Sequence, residues 1–325
     1  MEYKEYNKVK SNASGNKKII CILVVVAALT LYIAALAQFE TPETFIPTSS
    51  EESVESVFES SAAESSEEES SNAEDYEFYD ELVFESKPFA NSSVVNGPLA
   101  VIRDGSNGFP VIEQSDMVNI GHAKTESVYG LSNMSLVLYN DAIANIDKFI
   151  VNFYEQVPRN GLIINKGYTP ADSSAAGDTT VDLSTGYSVQ FSIYNSSYNF
   201  SDDEFAFLRE QAYKYGVIQR FPEGKEKYTS HDVDHKIYRY VGLAHSAYMN
   251  HYMYSLEEYI DVIRTHGVIE HKSELELGVT YVIYYVPVDK SVGTTYVDVP
   301  VADTYEYTVS GDGDKGFIVT VKIAE

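Results

Sequence analysis

The sequence predicts an α+β domain, because helix-like and strand-like patterns alternate in its second half and a β-rich segment closes it. Within residues 136–154, apolar side chains recur at helical spacing, at Ile143, Ile146, Phe149, Ile150 and Phe153. The short apolar run Leu162–Asn165 follows and favours a buried strand. From about Leu277 the chain is rich in Val, Tyr and Thr, which indicates successive strands.

The N-terminal part of the chain contains an apolar run that predicts a membrane-spanning helix. Residues 19–37 carry no charge and are long enough to cross a hydrocarbon core. Lysines precede the run and acidic residues follow it, so residues 1–18 are expected in the cytoplasm and everything after Gln38 outside. This predicts a single-pass protein of the cell membrane. The small residues of Ala35–Ala37 leave a cleaved signal peptide open as the alternative.

Residues 38–93 are rich in Ser and Glu and are predicted to form a disordered stalk. About 16 acidic residues lie between Gln38 and Phe89, against the single base Lys87. They supply more than half of the formal net charge of −26. Such a balance argues against nucleic acid as a partner, since phosphate binding needs clustered Lys and Arg.

Further elements follow in order between residues 167 and 276. The pattern predicts a strand at Val181–Ile193, a helix at Asp203–Tyr215 that ends at Gly216, and strands at Val217–Phe221 and Lys236–Val241. Two helices are then expected, at His245–Tyr254 and Leu256–Thr265. The lone cysteine, Cys21, lies in the apolar run, so neither a disulfide framework nor a thiolate metal site is expected.

Three blocks in the stretch Phe207–Ile263 are distinctive: Ala212–Lys225, the RYVG sequence Arg239–Gly242, and SLEEY at Ser255–Tyr259. With the helix before Leu162 and the pair Gly167-Tyr168, they resemble the VanY-type zinc D-alanyl-D-alanine carboxypeptidases, which trim peptidoglycan stem peptides. The resemblance covers about Leu136–Ile263. It implies a small antiparallel sheet flanked by helices (the Hedgehog/DD-carboxypeptidase-like fold) for residues 94–276, with residues 277–325 as a β-rich appendage.

The zinc-site motifs of that family are degenerate in this chain. The first motif corresponds to Val181–Gln190, with Leu183 at the position of the zinc-binding His and Gln190 at that of the zinc-binding Asp. The second corresponds to Asp234–Ile237, with Asp234 at the catalytic Glu and Ile237 at the last zinc His. The family's Gly-Tyr-Arg-Ser turn reads Gly167-Tyr168-Thr169-Pro170, so its Arg is missing too. A catalytic zinc needs three protein ligands and an open position, and we therefore expect no cofactor.

Two histidines leave a rearranged metal site open as an alternative. His231 and His235 lie beside Asp232 and Asp234, and His235 shares a strand face with Ile237. Zinc is therefore the alternative cofactor, with His231 and His235 as alternative ligands. Tyr168, Tyr187, Tyr238, Arg239 and Tyr240 are the expected lining of a peptide-binding groove.

The expected function is that of a pseudoenzyme which binds a peptidoglycan stem peptide or a cell-envelope protein without cleaving it. The first alternative is an active zinc D,D-carboxypeptidase with a rearranged metal site. The second is a tethered interaction module whose C-terminal β segment makes the contacts. A scaffold can outlive its chemistry because the reactive residues are few and the fold is held by others.

Overall fold

The computed structural model describes residues 78–103, 105–158, 160–171, 177–195, 197–301 and 304–324. The predicted cytoplasmic tail, the apolar run 19–37 and the stalk up to residue 77 lie outside these ranges. Within them the strands are β1 (Phe84–Ala90), β2 (Val118–Asn119), β3 (Gly130–Leu131), β4 (Val137–Leu138), β5 (Leu162–Lys166), β6 (Ser188–Ile193), β7 (Val217–Phe221), β8 (Asp234–Tyr240), β9 (Val268–Lys272), β10 (Val279–Pro287), β11 (Thr294–Pro300), β12 (Glu306–Gly311) and β13 (Gly316–Ala324).

The described α-helices are α1 (Ile120–Ala123), α2 (Asn140–Gln156), α3 (Ala206–Gln211), α4 (Glu226–Thr229), α5 (Leu243–Tyr252) and α6 (Leu256–His266). The predicted helix at Asp203–Tyr215 is α3 with a 3-10 turn on each side, at Asp203–Phe205 and Ala212–Tyr215. It ends as expected at Gly216, which has a φ of 72°. Among the described residues, no helix combines the length and apolar character that a membrane crossing needs.

The first sheet has five strands in the order β3-β5-β6-β8-β7, and all its neighbours are antiparallel except the β3–β5 pair. Helix α2 packs on it through the predicted apolar face, since Ile143, Ile146, Phe149, Ile150 and Phe153 are fully buried. They share a core with Val189, Phe191 and Tyr238 of the central strands. Burial of each such side chain contributes about 1.5–3 kcal/mol, so this face fixes the helix on the sheet.

The second sheet has four antiparallel strands in the order β12-β13-β10-β9. Helix α6 packs against it and begins with a capping box, in which Ser255 and Glu258 each accept the other's backbone N–H. Ile260 and Ile263 of α6 share a core with Ile283 and Ile318 of the sheet. The β-rich segment therefore starts at β9, before the predicted boundary at residue 277, and packs on helices of the preceding region.

The predicted stalk is wrong in its last part, because residues 78–93 are folded. β1 pairs antiparallel with β11 along its whole length, from Phe84 opposite Pro300 to Ala90 opposite Thr294. Leu82 and Val94, at either end of this segment, are buried in one core with Val282 and Phe317 of the second sheet. The apolar residues of this segment thus belong to the folded region.

Only the second half of the stretch Val181–Ile193, which is predicted as a strand, is extended. Residues Thr179–Thr185 form a 3-10 turn, and only β6 is extended. The Asp178 side chain accepts the Thr180 N–H at the start of the turn, at 2.7 Å. Gly186 ends it at a φ of 76°, where a Cβ would lie 2.6 Å from Met117 Cε.

Candidate functional site

Two neighbouring strands and one turn carry the positions that the resemblance aligns with a zinc site to the same part of the first sheet. Gln190 of β6 lies directly opposite Ile237 of β8 in the antiparallel register. Leu183 lies in the 3-10 turn that leads into β6, and its carbonyl oxygen accepts the N–H groups of Thr169 and Gly186. The three positions therefore lie on the β6–β8 pair and on the turn that leads into it.

The side chains at these positions do not fit a zinc ion. Leu183 and Ile237 are fully buried hydrocarbons with no atom that can donate electrons to a metal. Gln190 offers only a neutral amide, whose Oε1 accepts a hydrogen bond from Asn165 Nδ2 at 3.3 Å. Zinc in proteins is held by thiolate, imidazole and carboxylate groups, and none of the three positions provides one.

Asp234, at the family's catalytic Glu position, is held by hydrogen bonds to the protein. Its Oδ2 accepts a hydrogen bond from Thr179 Oγ1 at 3.2 Å, and its Oδ1 accepts one from the Lys236 N–H at 2.8 Å. Both carboxylate oxygens are therefore engaged by the turn and by β8 itself. This arrangement ties the start of β8 to the turn that contains Leu183.

An open cleft with a volume of about 920 Å³ lies beside these residues. Asn165, Gln190 and Asp234 line it, and so do the alternative ligands His231 and His235. The alternative ligands are engaged elsewhere. The His231 ring packs edge-on against Phe221 at 5.0 Å, and His235 Nδ1 lies 3.0 Å from Gln219 Nε2.

Metal-binding geometry is not assembled around these histidines. Across the part of the chain that the structure describes, there is no group of three or more His, Cys, Asp or Glu side chains arranged to hold a metal. His231, His235 and Asp234 thus line the same cleft, but their side chains are not arranged around a common metal position.

The expectation that Tyr238 and Arg239 line a groove is wrong. Tyr238 is buried against Phe149 and Phe191, with ring centroids 5.9 and 5.4 Å away. Arg239 is fully buried among charged groups. Side chains alternate along β8, but both of its faces are covered here, one by α2 and the other by the N-terminal segment and the turn.

The other three tyrosines are partly buried and do not line the cleft beside Gln190. Tyr187 stacks on Tyr139, with centroids 4.6 Å apart. Tyr168 donates a long hydrogen bond of 3.4 Å to the Ile112 carbonyl oxygen. Tyr240 lines a separate cavity together with Tyr281. The five residues therefore do not form one groove.

A buried ionic network beside the site escaped the sequence reasoning. Asp182 Oδ1 accepts hydrogen bonds from Arg220 Nε and Arg239 Nη1, both at 2.8 Å. Arg220 also forms a bidentate pair with Glu257 of α6, at 2.7 and 3.2 Å. Arg239 donates further to the carbonyl oxygens of Pro98 and Gly97. All four charged side chains are at least 96% buried.

Charge pairing inside this network outweighs the cost of burial for its central carboxylate. Burial would raise the pKa of Asp182, but Arg239 and Arg220 hold it below its usual value. For Arg220, burial would lower the pKa, yet Glu257 and Asp182 raise it above its usual value. Burial dominates for Arg239 and lowers its pKa. The network joins the 3-10 turn Thr179–Thr185, β7, β8 and α6, so it fixes the frame around Leu183, Gln190 and Ile237.

A sequence signal for the network exists in hindsight. Asp182, Arg220 and Arg239 each interrupt an otherwise apolar stretch, and buried charges in such places are found in pairs. Which charge pairs with which is not visible, since the partners are separated by 37 to 57 positions.

Comparison with curated proteins finds a sequence relative that matches most of the chain. A D-alanyl-D-alanine carboxypeptidase of Enterococcus faecium is 30% identical over 251 residues, which span 73% of this chain and 79% of the relative. No protein-family profile matches the chain.

The comparison with solved structures returns matches that include VanXYg and VanYB, and the first of these is similar in fold. The D,D-dipeptidase VanXYg, in complex with a D-Ala-D-Ala phosphinate analogue, covers 74% of this chain and 100% of its own, with a TM-score of 0.57 and 18% identity. VanYB in complex with D-alanine-D-alanine covers 50% of this chain and 97% of its own, with a TM-score of 0.35 and 18% identity. The first likeness carries the fold assignment.

Proposed function

This chain belongs to the VanY-type D-alanyl-D-alanine carboxypeptidase family, and we propose that it is a pseudoenzyme that binds a peptidoglycan stem peptide without cleaving it. The observation that carries this proposal is the chemistry at the three ligand positions. Leu183 and Ile237 are fully buried and Gln190 is a hydrogen-bonded amide. Peptide hydrolysis in this family depends on a zinc-activated water, and these residues cannot hold the ion.

The position of the catalytic carboxylate supports the same conclusion. A general base must reach the proton that it abstracts. Asp234 is one methylene shorter than the family's Glu, and both of its oxygens accept hydrogen bonds from Thr179 and Lys236. In the pseudoenzyme, this carboxylate has a structural role at the start of β8.

The cleft itself retains what a peptide site needs. It is about 920 Å³ in volume, and its lining combines the side-chain amides of Asn165, Gln190 and Asn199 with the partly exposed rings of Tyr198 and Phe200. Amides can both donate to and accept from a peptide backbone, while aromatic side chains provide apolar contact area. A cell-envelope protein that presents a similar peptide is the alternative ligand.

The proposed location is the outer face of the cell membrane. The apolar run 19–37, the lysines before it and the acidic stretch after it support an N-terminal anchor with the folded region outside. A peptide-binding domain on such a tether would lie next to the cell wall.

One set of measurements on the full-length chain tests the proposal. After equilibration with zinc and dialysis, elemental analysis is expected to find far less than one zinc per chain. A stem pentapeptide that ends in D-Ala-D-Ala should bind in a calorimetric titration and release no D-alanine. The double substitution Asn165→Ala and Gln190→Ala should weaken binding about tenfold or more, while Asn250→Ala, at an exposed site on α5, should leave it unchanged.

The rearranged zinc carboxypeptidase makes the opposite prediction. Release of D-alanine that a chelator abolishes, together with stoichiometric zinc, would refute the pseudoenzyme. His231→Ala and His235→Ala should then remove both the metal and the activity. If the chain neither binds nor cleaves the peptide, the peptide site is refuted, and a cell-envelope protein remains as the alternative ligand.

A further inference from the structure

A cavity with a volume of about 220 Å³ lies where the second sheet meets the start of α5. The stretch Tyr240–His245 lines one part of it, and Tyr281, Glu306 and Lys322 of the sheet line another. It shares no lining residue with the cleft beside Gln190. We call it the junction cavity.

The register of the second sheet brings three polar side chains to one wall of the junction cavity. Lys322 of β13 lies directly opposite Tyr281 of β10 and opposite Glu306 of β12, so the three side chains share a face of the sheet. Lys322 Nζ lies 2.7 Å from Glu276 Oε1, and the Tyr281 hydroxyl donates to the other oxygen of Glu276. The ammonium of Lys322 is therefore already paired within the chain.

Two other carboxylates of the junction cavity form no ion pair with the described residues. Asp141, in the first turn of α2, and Glu306 both line the cavity and are both exposed, so a ligand can reach them. Asp141 Oδ1 accepts the Ala142 N–H at 3.0 Å, a contact within its own helix. Burial of its surroundings raises the pKa of Asp141, and no cation of the described chain offsets this.

The charge of the junction cavity is negative. Its lining holds three carboxylates, Asp141, Glu276 and Glu306, and one ammonium, Lys322, which gives a net charge of −2. His245 also lines it and is neutral at pH 7, because burial lowers its pKa to about 3. Helix α5 begins here, but a helix N-terminus contributes only about half a positive charge. The balance therefore stays negative.

The same carboxylates act on the aromatic rings inside the cavity. Burial raises the pKa of Tyr240 to about 12, with contributions in the same direction from Asp141 and Glu276. Burial, the hydrogen bond to Glu276 and the charge of Glu306 raise the pKa of Tyr281. Both phenols are neutral at pH 7, and their rings lie in the field of these carboxylates.

Apolar surface accompanies the charges of the junction cavity. Pro98, Leu243 and Tyr307 line it and are partly exposed. The Tyr307 hydroxyl accepts a hydrogen bond from Lys87 Nζ at 2.8 Å, but that ammonium is paired with Glu85 at 3.0 Å and adds no net charge. A methylene chain can lie along such surface while its charged end meets carboxylates.

These features select one class of ligand. The cavity is smaller than the roughly 300–1,000 Å³ of typical pockets for drug-sized ligands, which favours a short chain end. The negative lining disfavours an anion, and a neutral ligand would desolvate carboxylates without pairing them. A metal ion needs several ligands around one point, and no group of three or more His, Cys, Asp or Glu in the described part of the chain is arranged in that way.

We propose that the junction cavity binds a primary ammonium on a short aliphatic chain, as in a lysine side chain or a free diamine. Asp141 and Glu306 would supply the counter-charge, and the Tyr240 ring would offer its face to the ammonium. The methylene groups would lie against Pro98 and Leu243. The site is separate from the peptide cleft and does not depend on the pseudoenzyme proposal.

The test is a calorimetric titration of the full-length chain with 1,5-diaminopentane and with Nα-acetyl-lysine amide. Saturable binding of at least one amine is expected, and the preferred one tells a free diamine from a lysine side chain. Nα-acetyl-norleucine amide has an aliphatic side chain without the ammonium and should bind at least about tenfold more weakly than the better amine. The double substitution Asp141→Asn and Glu306→Gln should weaken amine binding about tenfold or more.

A matched control removes the same two charges elsewhere. Asp232→Asn combined with Glu204→Gln changes one exposed Asp and one exposed Glu that do not line the junction cavity, and it should bind the amine within about threefold of the wild type. Three results would each overturn the proposal: no binding of either amine, equal binding of the norleucine and lysine amides, or an unchanged Kd in the Asp141→Asn, Glu306→Gln variant.

Discussion

Removal of the Asp182 carboxylate is the most direct perturbation of the buried network. In Asp182→Ala, Arg220 keeps its pair with Glu257, but Arg239 loses the carboxylate that it contacts. Its hydrogen bonds to the carbonyl oxygens of Pro98 and Gly97 remain. Ser188 Oγ loses its acceptor as well. The substitution therefore leaves a buried guanidinium without its counter-charge.

The expected loss of stability is large. Breaking a buried ion pair by removal of one partner costs about 3–5 kcal/mol. For a folded region of this size each kcal/mol lowers the melting temperature by about 2–4 °C, so a decrease of roughly 6–20 °C is expected. Urea unfolding followed by circular dichroism gives the free energy of unfolding, and thermal melting gives the temperature. Lys225→Ala, which removes a partly exposed pair with Glu258, should cost about 1 kcal/mol or less.

The pH dependence provides a second readout of the same contact. The pKa of Asp182 is held below the ordinary 3.8, so the pair contributes fully above that value. Its contribution is lost as the pH falls below about 4 toward the folded-state pKa. The wild type should lose this increment in acid and Asp182→Ala should not. A stability loss under about 1 kcal/mol in Asp182→Ala at pH 7 would refute a buried, paired network.

Three more predictions test the site and the fold. The combined change Leu183→His, Gln190→Asp and Ile237→His should create a zinc site that elemental analysis detects, and a folded variant without zinc would show that the three positions do not converge. A chain that lacks β1 (residues 84–90) and everything before it should unfold at a much lower urea concentration than a chain that begins at residue 72, because β11 loses its partner. Equal urea midpoints for the two chains would contradict this. Burial lowers the pKa of His245 to about 3, so the free energy of unfolding should fall by up to about 1.4 kcal/mol per pH unit as the pH is lowered from 6.5 to 3. In His245→Gln, the corresponding decrease of the melting temperature with falling pH should be absent. An unchanged decrease in that variant would exclude His245 as its source.

Local pattern predicted the elements whose signal is local. Helix α2 follows from the spacing of Ile143 to Phe153, and the helix predicted at Leu256–Thr265 is α6 (Leu256–His266). In these cases, the information lies within a few residues of the element.

Long-range pairing was not readable in the same way. The acidic composition around residues 78–93 predicted disorder, although Phe84 and Phe89 pack against the core that contains Val282 and Phe317 of the second sheet. The partner of β1 is β11, about 200 positions later, and such a pairing has no local signature. The misassignment of Tyr238 and Arg239 has the same origin, since burial on both faces of β8 depends on elements that are distant in the sequence.

Under the proposed pseudoenzyme function, the loss of the zinc ligands and the retention of the fold have a common physical basis. The frame around the ligand positions is held by the Asp182 network and by apolar cores, neither of which needs a metal. Once one ligand is lost, the other two are polar groups whose burial has no compensating bond. Replacement by Leu183 and Ile237 converts that cost into buried apolar area, worth about 1.5–3 kcal/mol for each side chain. The substitutions therefore favour one another, and restoring a single ligand would lower stability without restoring a metal site.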